Sequence, residues 1–413
     1  MEIVGSINKE LEDMLRSADF SPEEVCFWSG AGISVNAPSN LPAGDSLTEE
    51  IIEYFCIPGT WNKLKGYFRQ TEMQDAYGNE KHTPRLETVL ENLVQCLGIK
   101  VLKFLDFSYD SEPNSMHRFF ADHLKRGGIH ITTNFDNCIE NSLVSTDKIS
   151  IIEEFENLRI SSTKIKNCLI HIHGRYSRSD EKLERLGVLF RNIASGFPKI
   201  LEDIITLNTF DRSFLVFIGY SGRDYFDVNP FFFELNSKGK KLRNLTVIWI
   251  KHSPKQENFN IQEKEDVEYQ QGRVILESLE NLGAKVYYLL IDTNKFLEIV
   301  TQYWVLSNKH KTCSQNSNLS NQTMEQHPSV SNSEKIVATA QVYSSMGIGI
   351  EVVNLSNALL RIINHTQEDR LISKIYFLLS NGFRDTGLYK QAKIFSRRLP
   401  HCNPKDKVFF HNR

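Results

Sequence analysis

The chain has 413 residues, which at about 150 residues per domain amounts to two or three domains. With 40% apolar residues, 24% charged residues and a net charge of −3, it can bury a core but lacks the basic excess that sequence-independent nucleic-acid binding needs. Its longest apolar runs, such as Phe214–Ile218 and Val286–Ile291, are far too short to span a bilayer.

The seven cysteines stand at 26, 56, 96, 138, 168, 313 and 402. No Cys-x-x-Cys pair occurs, so neither a cysteine-based zinc site nor a redox motif is expected. Scattered cysteines of odd number, in a chain without an apolar leader, point to reduced thiols and a cytoplasmic location.

In chain order, the first buried strand is expected at Val25–Trp28. Directly after it comes Gly30-Ala31-Gly32-Ile33-Ser34. Glycines there either make a tight strand-to-helix turn or let the backbone approach a phosphate. The dinucleotide fingerprint fails, because residue 35 is Val and no third glycine follows. Residues from about 45 to 126 hold helical patterns at Leu47–Phe55, Arg85–Leu97 and Met116–Lys125 without a good strand, so a helical insertion is expected there.

A second strand is expected at Ile129–Thr132, followed by Thr132-Thr133-Asn134-Phe135-Asp136. Asn134 and Asp136 fall at a strand's carboxyl end, where open α/β sheets place their ligand crevice. An Asx turn starting the next helix explains the same residues. The strand Cys168–Ile172 runs into His173-Gly174. Period two puts His171 and His173 on one face. His173, at the strand's end, suits general-base work near neutral pH, whereas a structural role fits His171 better. After a helix at Ile200–Leu207 and a strand at Phe214–Ile218 comes Gly219-Tyr220-Ser221-Gly222-Arg223-Asp224. This loop suits ribose hydroxyls or phosphate, or is simply a turn with Asp224 as its anchor. Leu245–Ile250 and Val286–Ile291 complete the strands. Near-continuous apolar strands alternating with helices predict an open, Rossmann-like α/β fold with a parallel sheet.

From Ser307 to Ser333, fifteen of twenty-seven residues are Ser, Asn or Gln, too polar to offset the entropy of ordering, so 306–335 reads as a linker. Residues 336–413 return to helical periodicity as an all-α region. Leu355, Leu359, Ile362 and Ile363 share one face, and Ile372, Ile375, Leu379 and Phe383 another. From Ser373, the spacing of Tyr376, Leu379, Phe383, Gly387, Tyr389, Ala392 and Pro404 resembles one tetratricopeptide unit, with Ser380 where the pattern prefers Gly. An ordinary helical hairpin fits as well. A lone unit needs neighbours, which leads us to expect the front part of a longer repeat protein. The expected domains are thus 1–305 with the insertion, the linker, and 336–413.

Taken in order, the glycine loop, Thr-x-Asn-x-Asp, His-Gly and Gly-x-Ser resemble the NAD-binding domain of the sirtuin family over about residues 20–305. Leu41-Pro42, Pro113-Asn114 and His117 add to the likeness. Protein-deacylating sirtuins carry a four-cysteine zinc module, absent here. They also read Thr-Gln-Asn-Ile-Asp, where this chain has Thr133 and Phe135. The Arg85-Leu86-Glu87 helix, the Gly219–Asp224 loop and the helical end are more similar to sirtuin-like NAD-cleaving domains of bacterial anti-phage defence proteins.

That resemblance implies a hydrolase that cleaves NAD to nicotinamide and ADP-ribose, with NAD as substrate and no metal. Gly30, Ala31, Gly32, Ile33 and Ser34 would serve the pyrophosphate, and Gly219 and Ser221 the adenosine ribose. Asn134 and Asp136 would lie near the nicotinamide ribose, Asn134 orienting ribose or water, and His173 would accept a proton. An NAD-dependent deacylase and a sensing module that binds NAD or ADP-ribose without turnover are the alternatives. A homo-oligomer, and a phage protein acting as trigger through the helical end, are further implications.

Overall fold

The computed structural model describes residues 2–70, 84–153, 165–194, 196–224, 226–237, 241–254, 256, 258–261, 272–307, 328–362 and 369–397. The chain begins with α1 (Glu2–Leu15), β1 (Val25–Ser29), α2 (Gly44–Phe55), α3 (Thr60–Gln70), α4 (Leu86–Leu97) and α5 (Ser115–Lys125). It continues with β2 (Ile129–Thr132), β3 (Ser150–Ile152), β4 (Cys168–His171), α6 (Asp180–Glu184), α7 (Phe190–Ile193), α8 (Lys199–Thr209), β5 (Phe214–Ile218) and α9 (Val228–Ser237). Then follow β6 (Thr246–His252), β7 (Asn260–Ile261), α10 (Arg273–Asn281), β8 (Lys285–Ile291) and α11 (Thr293–Ser307). The last helices are α12 (Asn332–Ser345), α13 (Gly349–Ile362), α14 (Asp369–Asp385) and α15 (Tyr389–Ser396).

The chain divides into two compact units, one of Met1–Ala43 with Leu105–Glu325, the other of Gly44–Phe104 with Gln326–Arg413. The first holds the sheet, in the order β3-β4-β2-β1-β5-β6-β8-β7. All neighbouring pairs are parallel except β7 with β8. The fold is an α/β sheet of the Rossmann-like kind with an all-α carboxyl-terminal region, as the alternation of strands and helices predicts.

Period two explains why the inner strands read as unbroken apolar runs. On one face Cys26, Trp28, Leu215, Phe217, Val247 and Trp249 pack under Leu201 and Ile205 of α8, Phe231 and Phe232 of α9 and Ile275 of α10. On the other, Val25, Phe27, Val216 and Ile248 pack under Leu11 of α1, Phe120 and Leu124 of α5 and Phe296 of α11. Each such side chain, fully buried, contributes roughly 1.5–3 kcal/mol. β1 sits at the centre, and its carboxyl end leads toward β2 on one side while that of β5 leads toward β6 on the other. Neighbouring strands with diverging connections open a crevice at their carboxyl ends.

Two histidines are buried between α5 and the sheet, His123 on the helix and His130 on β2. His123 Nε2 donates to the carbonyls of Pro22 and Val25 at 3.0 and 3.2 Å, with its ring stacked on Trp304. His130 pairs with the Ser29 hydroxyl at 2.7 Å. Burial lowers His123 to about 3 and holds His130 well below its ordinary 6.5. Both stay neutral in the fold but protonate in the unfolded chain below 6.5, so their stabilisation is present above that pH and lost as pH falls. Between about pH 7.5 and about pH 5.5 each should account for about 1.4 kcal/mol of acid destabilisation. Urea titrations of His123→Gln against wild type at the two pH values check this: an identical pH dependence would refute it.

In the second unit, α2 and α4 bury Ile51, Ile52, Leu90 and Leu93, and α12 buries Val337, Ala338 and Val342. Gln341 Nε2 donates to Asn92 Oδ1 at 2.9 Å, Ile57 N donates to Thr339 Oγ1 at 2.9 Å, and Lys100 pairs with Glu334 at 2.8 Å. The insertion expected over about 45–126 is therefore divided. Gly44–Phe104 groups with the carboxyl-terminal helices, whereas α5 turns Met116, Phe120 and Leu124 onto the sheet. The expected domain of residues 1–305 is accordingly interrupted. The physical reason is that the apolar stripes of α4 and α12 bury each other.

In that unit α14 and α15 form a hairpin through Gly387, with Phe395 packed on Tyr376 and Phe383. A tetratricopeptide unit and a plain hairpin share this arrangement. Pro404 and Ile363 lie outside the described residues, as do residues 308–327 of the polar linker. Among the described residues, no helix is long and apolar enough to cross a membrane.

Candidate active site

The loops after β1, β2, β4 and β5 converge at the carboxyl edge of the sheet. Gly30 N donates to Ile218 O at 3.4 Å and Gly32 N to Gly219 O at 2.9 Å. A Cβ on Gly219, whose φ is +60°, would lie 2.6 Å from Ile33 N, and one on Gly32 would lie 2.8 Å from the Gly219 Cα. The glycines let two loops touch backbone to backbone. Ile33 N and Ser34 N donate to Gly30 O and Ala31 O, so the amides of residues 32–34 are engaged within the loop pair. Ala31 and Gly32 are exposed beside them, as is Ser221, whereas Tyr220 is buried against Trp28, Phe217 and Trp249.

Ser34 is buried, and its hydroxyl donates to Asp136 Oδ2 at 2.9 Å. Asn134 Nδ2 donates to Ser34 Oγ and to Asp136 Oδ2, both at 3.1 Å. The Asn134 amide cannot be flipped without turning its carbonyl toward the carboxylate. What this side chain offers a ligand is therefore the acceptor Oδ1. Asp136 Oδ1 accepts from Cys138 N at 3.0 Å, which is the Asx turn foreseen from the sequence.

α5 supplies another partner. Asn114 caps the helix, its Oδ1 accepting from Met116 N and His117 N, and its own N–H donates to His117 Nδ1 at 3.1 Å. Asn114 Nδ2 also donates to Ile33 O at 2.8 Å, tying the cap to the glycine loop. With Nδ1 accepting, the neutral ring carries its proton on Nε2, which lies 3.1 Å from Ser34 Oγ and donates to it. Burial lowers the His117 pKa against the opposing pull of Asp136, which favours that neutral ring.

The two strand histidines have different fates. His171 is buried, with Nδ1 donating to Asn134 O at 3.0 Å and Nε2 to Glu140 Oε1 at 2.8 Å. Burial pushes its pKa down, but the Glu140 carboxylate and the hydrogen bonds outweigh it and leave the pKa raised. His171 is thus a charged brace. His173 lies beyond the strand with its side chain 10% exposed, and its Nε2 donates to Asp227 Oδ2 at 2.9 Å. That bond puts the proton-accepting lone pair of the neutral ring on Nδ1. Gly187 lets the chain pass close by, since a Cβ there would lie 2.7 Å from the His173 Cα.

The structure brings Ser34, Asn134 and Asp136 together and packs Gly32 on Gly219. Asp227 escaped the sequence reading. Its only local signal is an acidic residue just ahead of Val228-Asn229-Pro230, where α9 starts, and the partner it holds is 54 residues away.

Among the described residues, His117, Asp136 and Cys138 could each offer a metal one atom, all within 4.8 Å. Both His117 nitrogens are already in hydrogen bonds. Burial, with the Asp136 charge added, pushes the Cys138 thiol far above its ordinary range. The five cysteines among the described residues are free and buried.

None of the curated proteins matches the chain. A crystal structure of a Sir2 homologue in complex with NAD is similar at 15% identity and a TM-score of 0.36, covering 71% of this chain and 93% of that one. Residues 129–271 match the family model of the SIR2-like domain. That stretch, which is similar to the SIR2-like domain, holds Asn134, Asp136, His173, Gly219, Ser221 and Asp227, with the glycine loop ahead of it.

Proposed function

We propose that the protein is an NAD glycohydrolase. The observation that carries the reading is the pinned Asn134 amide, held by Ser34 and Asp136 at the carboxyl edge of the sheet, with an Asp–His pair on the neighbouring strand's end. In the reaction the bond between ribose C1′ and the pyridinium nitrogen breaks, and its electron pair neutralises the leaving nicotinamide. Water adds to C1′, giving ADP-ribose and one proton.

Asn134 Oδ1 accepts a hydrogen bond from the attacking water or from a ribose hydroxyl, orienting it. Asp136 lies beside the same ribose. His173 takes up the proton at Nδ1, and Asp227 stabilises the resulting imidazolium. Positioned general-base help is worth about 10²–10⁴ in rate. Gly30, Ala31, Gly32, Ile33 and Ser34 line the pyrophosphate, Ala31 and Gly32 from their exposed side and Ser34 through the network that shapes the loop. Gly219 and Ser221 face the adenosine ribose. The leaving group is already cationic, so the residues named here are sufficient for bond cleavage.

The test is to incubate the whole chain with NAD and quantify nicotinamide and ADP-ribose. Equal yields of both without an acylated peptide support the reading. NAD that persists under every condition, tight binding included, would replace it with a sensing module. A need for an acyl-lysine peptide, with acyl-ADP-ribose formed, would replace it with a deacylase.

The resemblance to defence proteins extends the proposal to NAD depletion during phage infection, by a cytoplasmic homo-oligomer triggered by a phage protein at the helical end. Cellular NAD should then fall in infected cells that carry the chain and hold steady in uninfected ones. Equal NAD levels in both would refute the extension.

Replacing Asp227 by Asn tests the dyad. The swap keeps the shape but removes the charge that stabilises the imidazolium, so kcat should fall about 10- to 100-fold with KM little changed. An unaltered kcat would remove Asp227 from the mechanism.

A further inference from the structure

We infer that His117 is a positioning residue for the Asn134 amide, acting through Ser34 without touching the substrate. The inference rests on the reading of Asn134 as a reacting-site residue. The chain of contacts is directional at every step. Asn114 N–H donates to His117 Nδ1, leaving the ring's one proton on Nε2. Nε2–H donates to Ser34 Oγ at 3.1 Å, and Ser34 O–H donates to Asp136 Oδ2 at 2.9 Å. Ser34 Oγ then has one remaining acceptor direction, which the Asn134 amide occupies at 3.1 Å.

His117 thereby decides which way the Ser34 hydroxyl points. Without the imidazole donor, the hydroxyl is free to swing its proton away from Asp136 or toward Asn134. The amide then loses Ser34 Oγ as a fixed acceptor and is held by its Asp136 contact alone. A second contact, Ser39 Oγ to His117 Nδ1 at 3.4 Å, reinforces Nδ1 as the accepting nitrogen. Ser34, Asn114, His117 and Asp136 are all buried, so water is poorly placed to substitute for a missing partner.

His117 also sits at the third position of α5 and closes the Asn114 capping box, so a purely structural role must be separated from a positioning one. Two substitutions do so. In His117→Asn the side-chain oxygen can still accept from Asn114 N–H, keeping the cap, but nothing reaches Ser34. In His117→Gln the longer amide reaches Ser34 with a donor while the cap contact is weakened.

The positioning role predicts that His117→Asn keeps its melting temperature and its NAD KM yet loses about 10- to 100-fold in kcat. It also predicts that His117→Gln stays within about threefold of wild-type kcat, even if it melts earlier. The reverse pattern, with His117→Asn fully active and His117→Gln impaired, overturns it. A readout without substrate keeps the inference distinct from the NAD reading. In ¹⁵N-asparagine-labelled protein the Asn134 side-chain amide protons should exchange slowly in wild type and His117→Gln, and faster in His117→Asn. Unchanged exchange in His117→Asn overturns the positioning role even if NAD proves not to be the substrate. Absent NAD turnover with the expected exchange pattern overturns only the NAD reading.

Discussion

Asn134→Ala should lower NAD turnover by about 10²–10³, with the fold intact. The side chain contributes little to the core, because its contacts are polar: Nδ2 to Ser34 and Asp136, in a network that His117 and Asn114 complete. Removing the amide leaves Ser34 and Asp136 still bonded to each other at 2.9 Å, so the loops keep their anchor. What disappears is the oriented acceptor Oδ1, and with it the placement of water or ribose hydroxyl against C1′. The loss should appear in single-turnover rates rather than in NAD affinity. Asn134→Asp should be at least as damaging, because a carboxylate there faces Asp136 where the amide donated, and like charges in a buried site repel. Single-turnover rates of either variant within about threefold of wild type would remove Asn134 from the mechanism.

Glu140→Ala should be the most destabilising single change near the site, costing about 3–5 kcal/mol. Its cause is the charge left behind. His171 is buried with a raised pKa, donating from both nitrogens, to Asn134 O at 3.0 Å and to Glu140 at 2.8 Å. Without Glu140 the imidazolium has no close counter-ion among the described residues and must either lose its proton or open the loop. Arg175, whose Nη1 lies 3.6 Å from Glu140, would lose part of its own partnership at the same time.

The pH dependence has a definite sign. A raised folded pKa means that the His171 contribution is fully present below the ordinary 6.5 and is lost as pH rises through the folded value. The cost of Glu140→Ala should therefore be largest at about pH 6 and shrink as pH is raised toward about pH 9. Urea titrations at the two pH values decide it. A cost independent of pH would mean that Glu140 acts by packing alone. Because His171 Nδ1 donates to the Asn134 carbonyl, the same variant should also loosen the Asn134 loop and lower NAD turnover.

β1, β2, β4, β5, β6 and β8 were readable as short apolar runs because the sheet is covered on both faces, so their inner stretches are buried and largely apolar. β3 and β7 were not. Two of the three residues of β3 are exposed and β7 has two residues in all, so only pairing with β4 and β8 makes them strands. The order of the loops was readable too, since each motif follows its strand directly. The different places of the two histidines were readable from period two, and the structure gives each its own partner, Glu140 for His171 within the strand and Asp227 for His173 beyond it.

Chain-local patterns set the alternation of strands and helices and which loops carry polar and glycine residues. These depend on backbone preference and on periodicity within a few residues. Tertiary structure alone decided that Asp227 holds His173, that His117 reaches Ser34, that Gly32 and Gly219 touch, and that α2–α4 group with the carboxyl-terminal helices. Those partners are 54 to 187 residues apart or more, and the sheet order β4-β2-β1-β5 is what folds most of that separation away. The physical reason is that a hydrogen bond or a close backbone contact is set by positions in space, which side-chain chemistry permits but local sequence does not specify.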